Sequence, residues 1–341
     1  MEIIKSNNGF PYAWKAGRVE KLICSILEDK ARQQLDVDRV MIINPTWLHE
    51  NDIIQQIKDA RPDFIICHNF VDPAVPKMFE AIQQSGIPHV IIGNSAQCRL
   101  DFWAIVTDLF FQNYEEYDVA IQPSARKYIC LNRKPHPHRI TLVEELINAG
   151  LQQQGYLSLG LTGDRAITIE EAFNDEQGIN DEFGNLGVDE TFVSSKIRND
   201  IFSLGDTNIW MNSYFCLVTE TEFTNAYPDN FFISEKTFKP IIGMRPFFIY
   251  GQAPLRQYLK DAGFDIFEDI FDYSKVDEAH GDKEKQVAYA KVAIDAINRI
   301  VYPAQDYSKL FGRCQRNKTQ FRNYIYKQWN ILNNLDLTKF L

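Results

Sequence analysis

Ser234-Glu235-Lys236 places a hydroxyl, a carboxylate and an ammonium on successive residues, within the run Phe231 to Pro240. A serine here is a good N-cap, because its hydroxyl accepts from an amide of the first helical turn, and Glu235 then sits where the helix dipole favours an anion. The spacing predicts a helix starting at this point. Unpaired N–H groups at that end, with Lys236 beside them, make an anion site suited to a phosphate or diphosphate. Glu235 adds a two-oxygen acceptor able to hold both hydroxyls of a ribose. The plainer alternative is a capped surface helix carrying a solvated Glu-Lys pair. The residues downstream sharpen the choice: Pro240 is expected to interrupt the helix, Gly243 and Pro246 to end it, and the uncharged run Phe247 to Gly251 to form a buried strand.

The elements that must position this motif recur along the chain as apolar runs followed by amphipathic stretches. In the first third, Val40 to Asn44 precedes a helical pattern from Asn51 to Ala60. Phe64 to Cys67 precedes Pro73 to Ser85, and His89 to Gly93 precedes Leu100 to Phe111. Such alternation argues for a parallel sheet covered by helices, so residues 1–124 read as one Rossmann-like domain. No Gly-x-Gly-x-x-Gly follows these strands, which leaves a dinucleotide site without support. Ligands in such sheets lie beyond the carboxyl ends of the strands. There the loops Asn44 to Glu50, His68 to Asp72 and Asn94 to Asp101 carry His49, Glu50, His68, Asp72, Arg99 and Asp101. Each is a candidate for a catalytic role, or else a helix cap or solvated side chain: Asp72 precedes Pro73, and Asp101 precedes a helical pattern.

Pro123-Ser124 reads as a linker. Arg126 to Asn132 then reads as a strand, Arg133 to Arg139 as a basic loop held extended by two prolines with its cations outward, and Ile140 to Ile147 as a helix. His136 and His138 have no thiolate or acidic partner at metal-site spacing. Between Arg165 and Lys196 acids accumulate among Gly and Asn without a single Lys or Arg, the pattern of an exposed insertion. Tyr214 to Val218 is another buried strand, ending at Thr219-Glu220. Leu255 to Gly263 with Ile266-Phe267 is expected to add a helix and a strand, and Leu310, Cys314, Phe321, Tyr324, Ile331 and Leu335 mark a terminal helix.

Composition bounds these readings. A chain of 341 residues, 45% hydrophobic, supports two cores of ordinary size. A net charge of -10 removes any global attraction to nucleic acid or anionic membrane, though local basic patches remain. Six scattered cysteines without Cys-x-x-Cys spacing read as reduced core residues. The first residues lack signal-peptide character and no window approaches ~18 apolar residues, so a soluble, cytoplasmic protein without a membrane span is expected.

The pattern Phe232, Ser234-Glu235-Lys236, Gly243, Pro246 and Gly251 resembles the donor-binding signature of the fucosyltransferase family and its viral and bacterial relatives, with Phe232 where a Tyr is usual. The resemblance implies an α/β fold of GT-B type, two Rossmann-like domains facing across a cleft. Residues 1–124 would take the acceptor and 125–308 the nucleotide sugar, and 309–341 would cross back to the first domain. It implies Asn132 as the strand-end Asn, Arg139 as the diphosphate arginine with Arg133 in reserve, and Glu220 as counterpart of a Glu just upstream of the motif. Ser234, Glu235 and Lys236 complete the donor contacts. The implied reaction is inverting transfer from a nucleotide-diphosphate sugar to a hydroxyl of a saccharide or small molecule, with no metal or other cofactor required. In that family the base is a Glu in a Gly-Glu-Asn loop; Gly93-Asn94-Ser95 stands here instead. Asp101 is the nearest acid, with Asp72 the alternative. Two other readings stay open: sugar transfer to a hydroxymethylated DNA base, as some phage enzymes perform, and a non-catalytic sugar-nucleotide-binding module.

Overall fold

The computed structural model describes residues 1–6, 15–45, 48–70, 76–94, 97–110, 126–132, 136–159, 204, 207–224, 231–299 and 307–341. The chain divides into two compact units. The first comprises Met1–Phe110, Asn225–Ile233 and Asn323–Leu341, and the second Phe111–Thr224 and Ser234–Arg322. Asp72, Arg133, Pro123-Ser124 and the acidic stretch between Arg165 and Lys196 lie outside the described residues.

The first unit holds a five-stranded sheet in the order β1-β2-β3-β4-β5, every pair parallel. Its strands are β1 (Glu2–Lys5), β2 (Arg39–Ile43), β3 (Phe64–Asn69), β4 (His89–Gly93) and β5 (Cys98–Arg99). The helices are α1 (Lys15–Gln34), α2 (Glu50–Ala60), α3 (Pro76–Gln84) and α4 (Phe102–Phe110). β3 is buried along its whole length, as a parallel strand covered on both faces must be. Helix α2 buries Ile53, Ile57 and Ala60 into a core with Met41, Ile43, Ile65, Cys67 and Ile91. Three elements beyond the sequence reading complete this sheet and its cover: β5, within the stretch read as the loop Asn94 to Asp101, β1 and α1. β1 pairs with β2 in parallel, and α1 buries Val19, Ile23, Leu27 and Ala31 at a repeat of four.

The second unit holds a parallel sheet in the order β7-β6-β8-β9. Its strands are β6 (Arg126–Asn132), β7 (Gly155–Leu159), β8 (Ser213–Thr219) and β9 (Phe247–Tyr250). Its helices are α5 (Pro137–Asn148), α6 (Thr207–Met211), α7 (Glu235–Ile242), α8 (Ala253–Asp261), α9 (Ser274–Asp277) and α10 (Asp282–Arg299). Helix α11 (Tyr307–Asn333) follows, its last residues counted with the first unit.

Two expectations about this unit are corrected. Pro240 does not interrupt α7, which runs to Ile242. The helix ends by a Schellman arrangement, with Arg245 N donating to Pro240 O at 2.9 Å and Met244 in the left-handed region at φ 56. Gly243 caps the helix end as expected, its N donating to Lys239 O at 2.7 Å, and it is also a close-approach glycine, since a Cβ there would lie 2.5 Å from the Trp210 ring. Ile266-Phe267 is not a strand. Its backbone is held by side chains: Asp265 N donates to Asn317 Oδ1 at 2.8 Å, Phe267 N to Asp265 Oδ1 at 2.9 Å, and Phe267 has φ 58.

Arg313 of α11 fastens the same loop, donating to Asp265 at 2.6 and 2.8 Å and to Asp269 at 2.7 Å through two nitrogens. Burial pushes the Asp265 carboxyl up, but the Arg313 bonds outweigh it and hold the pKa below the usual value. At Asp269 the Arg313 bond leads and acts the same way. Both acids therefore stabilise the fold above the unfolded carboxylate pKa of about 3.9, and that contribution is lost as pH falls through the lower folded values. Arg313→Ala is expected to cost about 1–2 kcal/mol at neutral pH, discounted for the exposure of Asp269. Urea melts at pH 7 and pH 3 should show this gap narrowing on acidification.

Candidate functional site

The strand order of the second sheet reverses between β6 and β8: the chain leaves β6 toward β7 on one side and returns to β8 on the other. Crevices beyond the carboxyl ends of strands at such a switch are where open α/β sheets take ligands. β6 ends at Asn132 and is followed by the start of α5. β8 ends at Thr219 and is followed by Glu220, which bonds directly to the start of α7. The motif read from the sequence therefore stands at the switch.

Glu220 organises this end of the sheet. Its carboxylate is fully buried, and it accepts from Ser234 N at 3.3 Å, Ser234 Oγ at 2.6 Å, Thr237 Oγ1 at 2.5 Å and Thr221 N at 3.3 Å. Gly251, which closes the sequence pattern, makes room for it, because a Cβ there would stand 3.0 Å from Glu220 Cβ. Glu220 thus fixes the N-terminus of α7 and has little left to offer a ligand. Ser234 caps the helix as expected, accepting from Lys236 N at 3.2 Å. Thr237 N donates to Ser234 O at 3.3 Å and Ser234 N is taken by Glu220, so these first-turn amides are not the unpaired donors anticipated.

Attraction for an anion falls instead to side-chain charge. Lys236 Nζ lies 2.8 Å from Glu235 Oε1 and 3.4 Å from Ser234 Oγ, with its side chain 29% exposed. Burial pushes Glu235 up, but Lys236 and Lys239 outweigh it and hold the carboxyl below its ordinary range. Glu235 is therefore ionised at neutral pH and tied to Lys236, the more accessible member of the pair.

Arg139 corrects the picture of an outward basic loop. It sits in the first turn of α5, is buried, and donates from Nη2 to Thr219 O at 3.2 Å and Glu220 O at 3.0 Å. Burial pulls its pKa down to about 10 while Glu220 and Glu235 push back, so it keeps its charge at neutral pH. His138 beside it bonds through Nε2 to Glu220 O at 2.9 Å and is lowered to about 3, by burial first and Arg139 second. That neutral ring must donate, because the carbonyl can only accept. Asn132 accepts from Thr219 Oγ1 at 2.5 Å and donates to Ser158 O at 3.1 Å, tying the ends of β6, β7 and β8. No family model, curated protein or solved structure matches this chain.

In the first unit the candidate bases separate. Asp101 is 1% exposed; its Oδ1 lies 2.9 Å from Arg99 Nη2, its Oδ2 takes the Tyr324 hydroxyl, and its amide donates to Gln328 Oε1 at 2.9 Å. A base must reach the acceptor hydroxyl. Both oxygens of Asp101 already have partners here, so service as the base requires Arg99 or Tyr324 to release one of them. His68 is buried, stacked on Phe70 at 4.5 Å, 3.5 Å from Cys24 Sγ and 3.7 Å from Glu20, and burial pushes its pKa down to about 3. Glu20 also accepts from Asn44 Nδ2 at 2.7 Å, a buried pairing that could be found only by reading α1, where Glu20 and Cys24 share a face. His49 and Glu50 are exposed at the start of α2. The Gly93-Asn94 turn closes on Asn69, with Asn94 N donating to Asn69 Oδ1 at 3.1 Å. No helix among the described residues is long and apolar enough to cross a membrane, and no group of three or more His, Cys, Asp or Glu among them is placed to hold a metal.

Proposed function

We propose that the chain is an inverting glycosyltransferase of GT-B-like architecture that moves a sugar from a nucleotide-diphosphate sugar to a hydroxyl of a saccharide or small molecule. The observation that carries this reading is the position of Ser234-Glu235-Lys236 at the strand-order switch of the second sheet. The leaving diphosphate gains negative charge as the anomeric bond breaks, and Lys236, with buried Arg139 and the α7 dipole behind it, supplies the compensating field. Glu235 serves the ribose hydroxyls once Lys236 turns to the phosphates. Asn132 and Glu220 hold the strand ends and the helix start rather than the donor.

The acceptor oxygen attacks the anomeric carbon from the face opposite the departing diphosphate, and its proton passes to a base of the first unit. The groups to test are Asp101, once released by its partners, and Asp72, His49 and Glu50. Transfer to a modified DNA base would need cations of the basic segments 126–139 and 309–327 to reach phosphates, and it draws less support because several of them are already engaged. Arg313 is held by Asp265 and Asp269, Lys127 donates to Ile297 O, and Arg126 donates to Gly155 O over the Tyr156 ring.

The test is turnover. Incubation with a panel of nucleoside-diphosphate sugars and simple glycoside acceptors should release nucleoside diphosphate, and proton NMR of the first product should show the anomeric configuration opposite to the donor's. A product that keeps the donor configuration would contradict the single-displacement reading.

A further inference from the structure

Arg99, at the end of β5, grips a segment far away in sequence. Its Nη1 donates to Phe231 O at 3.0 Å, and its guanidinium carbon lies 3.7 Å from the centroid of the Phe231 ring. Asp101 Oδ1 faces Arg99 Nη2 at 2.9 Å, and Asp101 is itself held by Tyr324 and Gln328 of α11. All of these residues belong to the first unit, because the excursion Asn225–Ile233 is counted there. The chain enters the second unit at Ser234, whose amide and hydroxyl are bound by Glu220. Only Phe232 and Ile233, both buried, separate the anchor at Phe231 from the N-cap of α7.

We propose that Arg99, backed by Asp101, is a positioning residue for the donor helix: by fixing Phe231 it sets the entry of the chain into the Ser234 cap and so the placement of Glu235 and Lys236. The physical reason is the shortness of the tether. Two residues span at most about 7 Å, and with both side chains buried they leave little slack to absorb a displacement at one end without passing it to the other. A fork-shaped cation that bonds the carbonyl and covers the ring holds position and orientation together, as a lysine point charge does not. The enclosure of Asp101 suits it to the task of orienting Arg99. Its bearing on nucleotide binding rests on the function proposed above; its bearing on α7 does not.

The experiment is amide hydrogen exchange on the full chain, comparing wild type with Arg99→Ala, Arg99→Lys and Phe231→Ala. In Arg99→Ala the amides from Ile233 to Thr237 should exchange about tenfold faster or more, with those of β3 and β8 unchanged, a pattern of local opening. Phe231→Ala, which keeps the carbonyl, and Arg99→Lys, which keeps the charge, should each give a smaller acceleration at the same amides. Wild-type exchange at Ile233 to Thr237 in a folded Arg99→Ala would overturn the proposal. Equal loss of protection in β3 would do so too, by reducing Arg99 to general stability. If Arg99→Ala does not fold, the two milder variants are read by the same criterion. Failure of wild type to bind any nucleoside diphosphate would contradict the proposed function while leaving the exchange result standing.

Discussion

Glu220→Ala should lower stability by about 3–5 kcal/mol, the cost of breaking a buried charged network by removing one partner. The carboxylate is fully buried and accepts from both groups of Ser234 and from Thr237, and its charge lies close enough to Arg139 to raise that residue's pKa. Without it, two hydroxyls and the amides of Ser234 and Thr221 lose their acceptor and the buried guanidinium loses a countercharge. Urea melts of wild type, Glu220→Ala and Glu220→Gln give the comparison. Gln keeps the shape and one acceptor oxygen but leaves Arg139 less compensated, so its loss should fall between the other two. A Glu220→Ala variant within about 1 kcal/mol of wild type would mean that the network is not what holds the start of α7.

Lys236→Ala should weaken nucleoside diphosphate binding by about 2 kcal/mol, roughly thirtyfold, and lower stability by about 1–2 kcal/mol, because buried Glu235 loses its nearest cation and keeps Lys239. Lys236 is still a better probe of binding than Arg139. Lys236 reaches solvent from the helix start, whereas Arg139 is committed to Thr219 and Glu220. Removal of Arg139 would therefore disturb fold and binding together and would report on neither alone. Calorimetric titration of the two Lys236 forms, with melts run beside it, separates the effects. Unchanged affinity in Lys236→Ala would remove the motif from donor binding.

The sheets were legible where burial on both faces leaves continuous apolar runs, as in Phe64 to Cys67 and Phe247 to Tyr250. β1 was not, because only Ile3 and Ile4 stand between charged ends. Helix α1 hides its stripe in a strict repeat of four from Val19 to Ala31, narrow enough to be masked by the charges between. The Ser234 cap was legible because it is local, closing within two residues. The same helix start also depends on Glu220, fourteen residues upstream, and on room left by Gly251, which no local pattern encodes. Arg139 was misread for a related reason: two prolines argue for an extended loop, but Pro137 sits at the first position of α5, where proline favours a helix, and the turn carries Arg139 inward. Asp101 looked like a loop acid until Tyr324, 223 residues away, closed over it.

The most direct test of the central claim is amide hydrogen exchange of the wild-type chain with and without saturating UDP or GDP, with inorganic diphosphate as a third arm. Protection should rise at Ser234 to Thr237 and at the first turn of α5 with a nucleoside diphosphate, and to a smaller extent with diphosphate alone. Protection that appears elsewhere in the chain and leaves these two helix starts unchanged would contradict the account.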